Sequence, residues 1–295
     1  MSASDNMKGA ALMTVSTAAY TLNDASMKAL AGHMPLPQVV FLRGVLTCLL
    51  LCALGVALRS LTFRLERREW KLMLSRSLAE AGATYCLLNA LFNMPIANVT
   101  AVLQALPLTV ALAAWAFVGE PLGRQRLVAI LVGFIGVILI VKPGGDGFNA
   151  WSIYALIAVG FVTARDILVR KMSSRTPSMT VAFVTAVAVT FAFGVASLGV
   201  EWAPVNSRSG LFLSLAAVFI IVGYLFGIMV MRVGDIGFVA PFRYTGLIWA
   251  LLLGLVFFGE WPDTMTFAGA CIVVAMGLFT LLRERHLVRQ LKSQA

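Results

Sequence analysis

A chain of 295 residues that is 60% hydrophobic and only 12% charged lies far outside the soluble range, in which about 25% of residues are charged. A mean hydropathy of +0.91 spread along the whole length calls for many membrane-spanning segments and excludes a chain of one or two soluble domains. The net charge of +10 sits in short loops and the C-terminal tail, where the positive-inside rule puts it, and is no nucleic-acid footprint.

A hydrocarbon core of about 30 Å needs roughly 20 apolar residues in helical form. Punctuation by polar residues, Gly and Pro gives ten such segments: 9–30, 37–58, 70–92, 96–118, 125–141, 151–170, 179–200, 209–230, 236–258 and 263–282. The first follows Lys8 and lacks a cleavage site, so it is read as a span rather than a signal peptide. Ten crossings put both ends on one face. One set of loops collects Lys8, the 59–71 stretch, Arg124, Arg126, Arg170, Lys171, Arg175, Arg232 and the tail from Arg283. The other holds Lys142 and Arg208, with Lys28 at a helix end. The bias predicts cytoplasmic termini. Cys48, Cys52, Cys86 and Cys271 fall inside apolar runs and read as small hydrophobes. No metal site and no cofactor is expected.

The chain repeats itself. WAFVGEP (115–121) matches LVFFGEW (255–261) at an offset of 140, and TLNDASMK (21–28) lines up with TARDILVR (163–170) at 142. A five-helix unit copied once must enter the membrane from the opposite side, because five is odd. Inverted repeats are a signature of secondary transporters, whose sites lie between the repeats near the midplane. The expected fold is an all-α integral membrane protein of ten transmembrane helices, arranged as two inverted five-helix repeats. Residues 1–145 form the first repeat, 146–285 the second, and 286–295 a basic cytoplasmic tail.

The pieces NDASMK (23–28), FLRG (41–44), GFIGVILIVKPG (133–144), APFRYTGLIWA (240–250) and FGEWPD (258–263) resemble the EamA family of the drug/metabolite transporter superfamily. Within that family they look most like S-adenosylmethionine and riboflavin uptake transporters. The resemblance covers essentially the whole chain. It implies a carrier in the plasma membrane, the inner membrane of a bacterium, with a central cavity walled by helices of both halves. It also implies import of a metabolite such as S-adenosylmethionine or riboflavin, with export of amino acids or other metabolites as the alternative.

A charged side chain at a helix centre costs about 2.5–3.5 kcal/mol to insert, so such residues face a bundle interior or a wet cavity. The candidates for solute binding are Arg243, Tyr244, Arg43, Asn23, Glu80, Gln104, Trp249 and Tyr20. Those for carrying a proton are Asp24, Glu80 and Asp166. Each has a plainer reading. Asp24 with Lys28, Asp166 with Arg170 and Arg76 with Glu80 are helix pairs four apart that could neutralise themselves. Arg43 and Arg243 have no acid three or four residues away, so they face either a solute carboxylate or phosphate or an acid from another helix. Pro107 and Pro241 either kink their helices or free carbonyls for a ligand. The aromatic rings either pack or stack on a flat solute.

No G-x-x-x-x-G-K-[ST] loop is present, so a gradient or exchange is the expected energy source. No catalytic constellation of the H-E-x-x-H or G-x-S-x-G kind stands at a useful place, so a membrane-embedded enzyme is the weaker class. The expected partners are a small-molecule solute and the lipid bilayer, with a proton or sodium as coupling ion and a homodimer as an open assembly. Nucleic acid is not expected.

Overall fold

The computed structural model describes residues 3–119, 123–143, 149–173, 176–233 and 236–294, and its regular elements are all helices. In chain order they are α1 (Ala3–Lys28), α2 (Leu36–Ala57), α3 (Arg67–Asn93), α4 (Ile96–Leu103), α5 (Leu106–Val118), α6 (Arg124–Val141), α7 (Trp151–Arg170), α8 (Ser178–Ser197), α9 (Ser207–Val233), α10 (Ile236–Val239), a 3₁₀ turn (Ala240–Tyr244), α11 (Thr245–Phe258) and α12 (Thr264–Gln294).

Proline opens several of these helices. Pro35, Pro95 and Pro177 stand at the N-caps of α2, α4 and α8, where the ring pre-sets φ and the missing N–H costs nothing. Glycine closes two of them. Gly119 after α5 and Gly259 after α11 adopt φ of 81° and 63°, the left-handed cap that residues with a Cβ resist. These are the glycines of the duplicated Gly-Glu. Ile96 and Ile236, which open α4 and α10, are also 140 apart.

The ten-span expectation needs a correction in its composition. Among the described residues, eight helical stretches are long and apolar enough to cross a membrane: 36–57, 96–118, 124–141, 151–169, 178–197, 207–227, 240–258 and 264–282. Helices α1 and α3 have 26 and 27 residues but fall outside that set. They carry Asp5, Lys8, Asp24 and Lys28, and Arg67, Arg68, Glu69, Lys71, Arg76 and Glu80. Large side chains such as Phe117, Phe191, Val256 and Phe257 are exposed, the arrangement an acyl-chain solvent favours.

Two of the apolar stretches are broken rather than kinked. Pro107 lacks the N–H that would bond the carbonyl of Leu103, so α4 stops at Leu103 and α5 restarts with the proline in its first turn. Pro241 does the same one repeat later, and the chain passes through the 3₁₀ turn before α11 begins.

The helices assemble into two compact units. The first comprises residues 1–21, 94–153 and 222–295, and the second 22–93 and 154–221, so each draws on both sequence halves. In the first unit α6 packs along α12, and α4 against α11. A Cβ added at Gly269 would stand 2.5 Å from the carbonyl oxygen of Gly136, so the α6–α12 crossing requires glycine on both helices. Gly133 lies against Met276 and Gly136 against Val273. Shifting each member of the first pair by 140 gives the second, the mark of a local two-fold relation between α6 and α12. In the second unit α8 packs against α2 and α3, with the Phe41 ring seated on Gly194 and Thr190 on Gly44.

Candidate solute-binding site

The sequence candidates divide between the units. Tyr20, Gln104, Arg243, Tyr244 and Trp249 belong to the first, and Asn23, Asp24, Arg43, Glu80 and Asp166 to the second.

In the first unit the site grows from the two breaks. Gln104 is buried where α4 ends, and its Nε2 donates to the backbone carbonyl of Tyr244 at 3.3 Å. Residues 104 and 244 are repeat equivalents at the offset of 140, so the two discontinuous stretches meet at corresponding points. Arg243, beside that contact in the 3₁₀ turn, is exposed and pairs with no acid among the described residues. Tyr244 turns the other way. It is buried, and its hydroxyl lies against Gly277 of α12 without a hydrogen-bond partner. The ring therefore packs against α12, where any side chain at position 277 would strike it. Trp249 is half-buried with its indole N–H buried and unpaired. The Tyr20 ring lies over Gly223 of α9, Ser16 Oγ donates to the Gly223 carbonyl at 2.7 Å, and Thr17 and Thr245 join through their hydroxyls at 2.9 Å. The G-x-x-x-G of α9 thus serves close packing, as its spacing suggests.

Two further contacts in this unit were not foreseen. Glu260, the acid of the second Gly-Glu, accepts a hydrogen bond at 3.1 Å from the N–H of Ile96. It thereby caps the positive N-terminal end of α4. Its counterpart Glu120 lies outside the described residues. Lys142, beyond α6, pairs with Asp263 at 2.6 Å, and Asp263 also accepts from the N–H and hydroxyl of Thr266 as N-cap of α12. Partial burial works to raise the Asp263 carboxyl, but the Lys142 and Thr266 hydrogen bonds outweigh it and hold it down at about 2.

The second unit concentrates charge. Arg165 of α7 donates through Nη1 to both Glu80 carboxylate oxygens of α3, at 3.2 and 3.0 Å. Its Nε and Nη2 both reach Asp166 Oδ1 at 3.0 Å. Arg76 stands 3.8 Å from Glu80, and its Nη1 donates to Thr185 of α8 at 2.5 Å. The Arg76–Glu80 spacing therefore does bring the two side chains together, but the shorter contacts to Glu80 come from another helix. The side chain of Arg170, expected beside Asp166, lies outside the described residues. Arg43 of α2 donates to Asn23 Oδ1 at 3.3 Å, its Nε is buried without a partner, and Asn23 Nδ2 donates to Asp24 Oδ1 at 2.9 Å. Thr185 and Glu260 are the participants that local sequence pattern gave no reason to select. The one available signal, for Glu260, was the repetition of Gly-Glu at both ends of the duplication.

In the first unit an exposed guanidinium with no acid partner among the described residues, set beside a tied pair of broken helices, is polarity that an apolar stretch holds only where water or protein meets it. Comparison with known proteins agrees. The chain is 25% identical over 274 residues to a pseudopaline exporter of Pseudomonas aeruginosa (strain UCBPP-PA14), covering 90% of this chain and 93% of that one. It is 29% identical over 194 residues to an S-adenosylmethionine uptake transporter of Rickettsia felis, covering 65% of each. It is also 29% identical over 222 residues to a riboflavin transporter of Vibrio cholerae, covering 72% of this chain and 71% of that one. A solved crystal structure superimposes with a TM-score of 0.65 at 20% identity over 99% of both chains, a likeness of fold alone. Residues 7–142 and 149–282 each match one family, so this multi-pass membrane protein belongs to the EamA-like transporter family of the drug/metabolite transporter superfamily.

Proposed function

We propose that the protein is a secondary carrier that moves a small organic metabolite across the bacterial inner membrane by alternating access, and that it is not an enzyme. In this reading ten crossings form two inverted repeats, 1–145 and 146–285, with both termini and the 286–295 tail in the cytoplasm. The observation that carries it is the junction of the two broken stretches at Gln104 and Tyr244, with Arg243 exposed beside it. Irregular backbone within hydrocarbon is tolerated only where protein or a wet cavity satisfies it, and carriers place their sites at such breaks. Contacts inside the second unit add support. Glu69 accepts from Ser173 and Thr176, and Gln38 both donates to and accepts from the backbone of Ala203. Each joins two loop regions that the alternation assigns to one face.

Import is the favoured direction, with S-adenosylmethionine or a riboflavin-like solute as the leading cargo. Export is the second reading, and the match to a pseudopaline exporter over 90% of this chain favours it. A proton on Asp24, Glu80 or Asp166, or a sodium ion, would couple the cycle. Arg243, Arg43, Asn23, Glu80, Gln104, Tyr244, Trp249 and Tyr20 remain the proposed solute-contacting set, with Tyr244 acting through its backbone carbonyl. Purified protein reconstituted in vesicles under an imposed ion gradient tests the reading. Accumulation of chemically unchanged solute is expected, and loss of it in Arg243→Ala protein that still inserts. A chemically altered product would replace the carrier with an enzyme, and wild-type uptake by Arg243→Ala would take that arginine out of the site.

A further inference from the structure

Among the intramembrane cations of the second unit, Arg165 is saturated and Arg43 is not. Arg165 spends both faces of its guanidinium on Glu80 and Asp166. Among the described residues the Arg43 side chain has a single hydrogen bond, to an amide, and its buried Nε has no hydrogen-bond partner. Asp24 stands in the mirror position. Among the described residues its carboxylate has one hydrogen bond, from the other end of the same amide, and no cation within ion-pair distance. The Asn23 side chain therefore presents its oxygen to a guanidinium and its NH₂ to a carboxylate. Those are the places that the carboxylate and the ammonium of an α-amino acid would take. The neutral amide performs weakly what a zwitterion performs with full charge, since hydrogen bonds between ionised partners are about twice as strong as neutral ones.

We infer that Arg43, Asn23 and Asp24 form a recognition site for the amino-carboxylate end of the solute. Arg43 takes its carboxylate and Asp24 its ammonium, and Asn23 holds the two charges one amide apart until the solute replaces it. Arg43 and Asp24 are both half-buried while Asn23 is buried. The spacer matters because a guanidinium and a carboxylate free to meet would close on each other as Arg165 and Asp166 do. This inference rests on the carrier reading above and narrows its cargo to solutes that bear a free α-amino and α-carboxyl group.

The test is uptake by full-length protein in vesicles. S-adenosylmethionine and methionine carry the end group, while methylthioadenosine and riboflavin lack it. Methyl ester and N-acetyl forms of the accepted amino acid complete the set. Uptake of a solute with the end group is expected, reduced about tenfold or more by Arg43→Gln and by Asp24→Asn, one tenfold step being the loss of a single charged hydrogen bond. The ester is expected to be poor for the unaltered protein and no poorer for Arg43→Gln, and the N-acetyl form no poorer for Asp24→Asn. Purely structural roles would instead lower parent and capped solutes by the same factor, and that result overturns the assignment. Uptake confined to methylthioadenosine or riboflavin overturns it too, while leaving the carrier intact. Uptake of none of them removes both. Should a variant fail to insert, competition on the unaltered protein decides the matter, because capped forms that compete as well as the parent exclude the site.

Discussion

The two units solve the same problem with different materials. The second keeps α2, α3 and α8 unbroken and accepts three arginines and three carboxylates, Arg43, Arg76, Arg165, Asp24, Glu80 and Asp166. The first has only Arg243 of comparable kind among its described spans, and breaks its backbone twice instead, at Gln104–Ala105 and Ala240–Tyr244. A membrane protein can place polarity in hydrocarbon by buried side-chain charge or by unsatisfied main chain, and here each unit specialises in one. The costs differ. Charge must be matched by charge at several kcal/mol per ion, whereas the broken backbone is tied by a neutral donor, the Gln104 amide that reaches Tyr244.

The comparison is easiest to break in the charged unit. Arg165→Ala leaves Asp166 without its cation and Glu80 with only the longer Arg76 contact, both carboxylates being about a quarter exposed. A loss of about 3–5 kcal/mol is expected, read as a fall in the thermal unfolding midpoint or failure to insert. If Arg165→Ala were as stable as the parent, the network would not be the second unit's support. In the first unit the counterpart is packing. Gly269→Ala drives a methyl into the Gly136 carbonyl, and about 1–3 kcal/mol of destabilisation is expected by the same assay. A smaller loss, about 0.5–2 kcal/mol, is expected for Glu260→Ala, which uncaps α4. Glu260→Gln keeps an acceptor and should recover part of it. Smallest of all is the loss expected near neutrality for Asp263→Asn, because the carboxylate is half exposed. The native carboxyl, held at about 2 rather than 3.8, contributes stability that is present above about pH 4 and lost as pH falls through 2. The variant's unfolding midpoint should therefore lack the parent's extra decline between those values.

Much of the fold was legible because hydropathy and punctuation are local. The boundaries of 125–141 and 151–170 fall within a residue of α6 and α7, and the duplicated Gly-Glu marked the two left-handed caps. The breaks were only half legible. Proline announced a disturbance at 107, but a kink and a full restart share one sequence signal, and it is the Gln104 contact from a distant helix that accompanies the restart. Partnerships were the least legible. Spacing paired Glu80 with Arg76 in its own helix, while its closest cation, Arg165, arrives from 85 residues away. Arg43 has no acid in its own helix, as its spacing says, yet nothing in that spacing points to the Asn23 amide as its neighbour. For Tyr244 the sequence leaves packing and stacking both open; the ring packs against Gly277, with the carbonyl as the group facing Gln104.

Helix α4 has eight residues, about 12 Å of rise, too little to persist alone in any solvent where its ends can be hydrated. Its order is borrowed, for Glu260 grips one end and the Gln104 tie holds the other, and both grips flank α11. A slip of a single residue would forfeit the two together. Sliding by small increments is thereby closed off, and this pair can only travel as one body or let go at both ends in the same event.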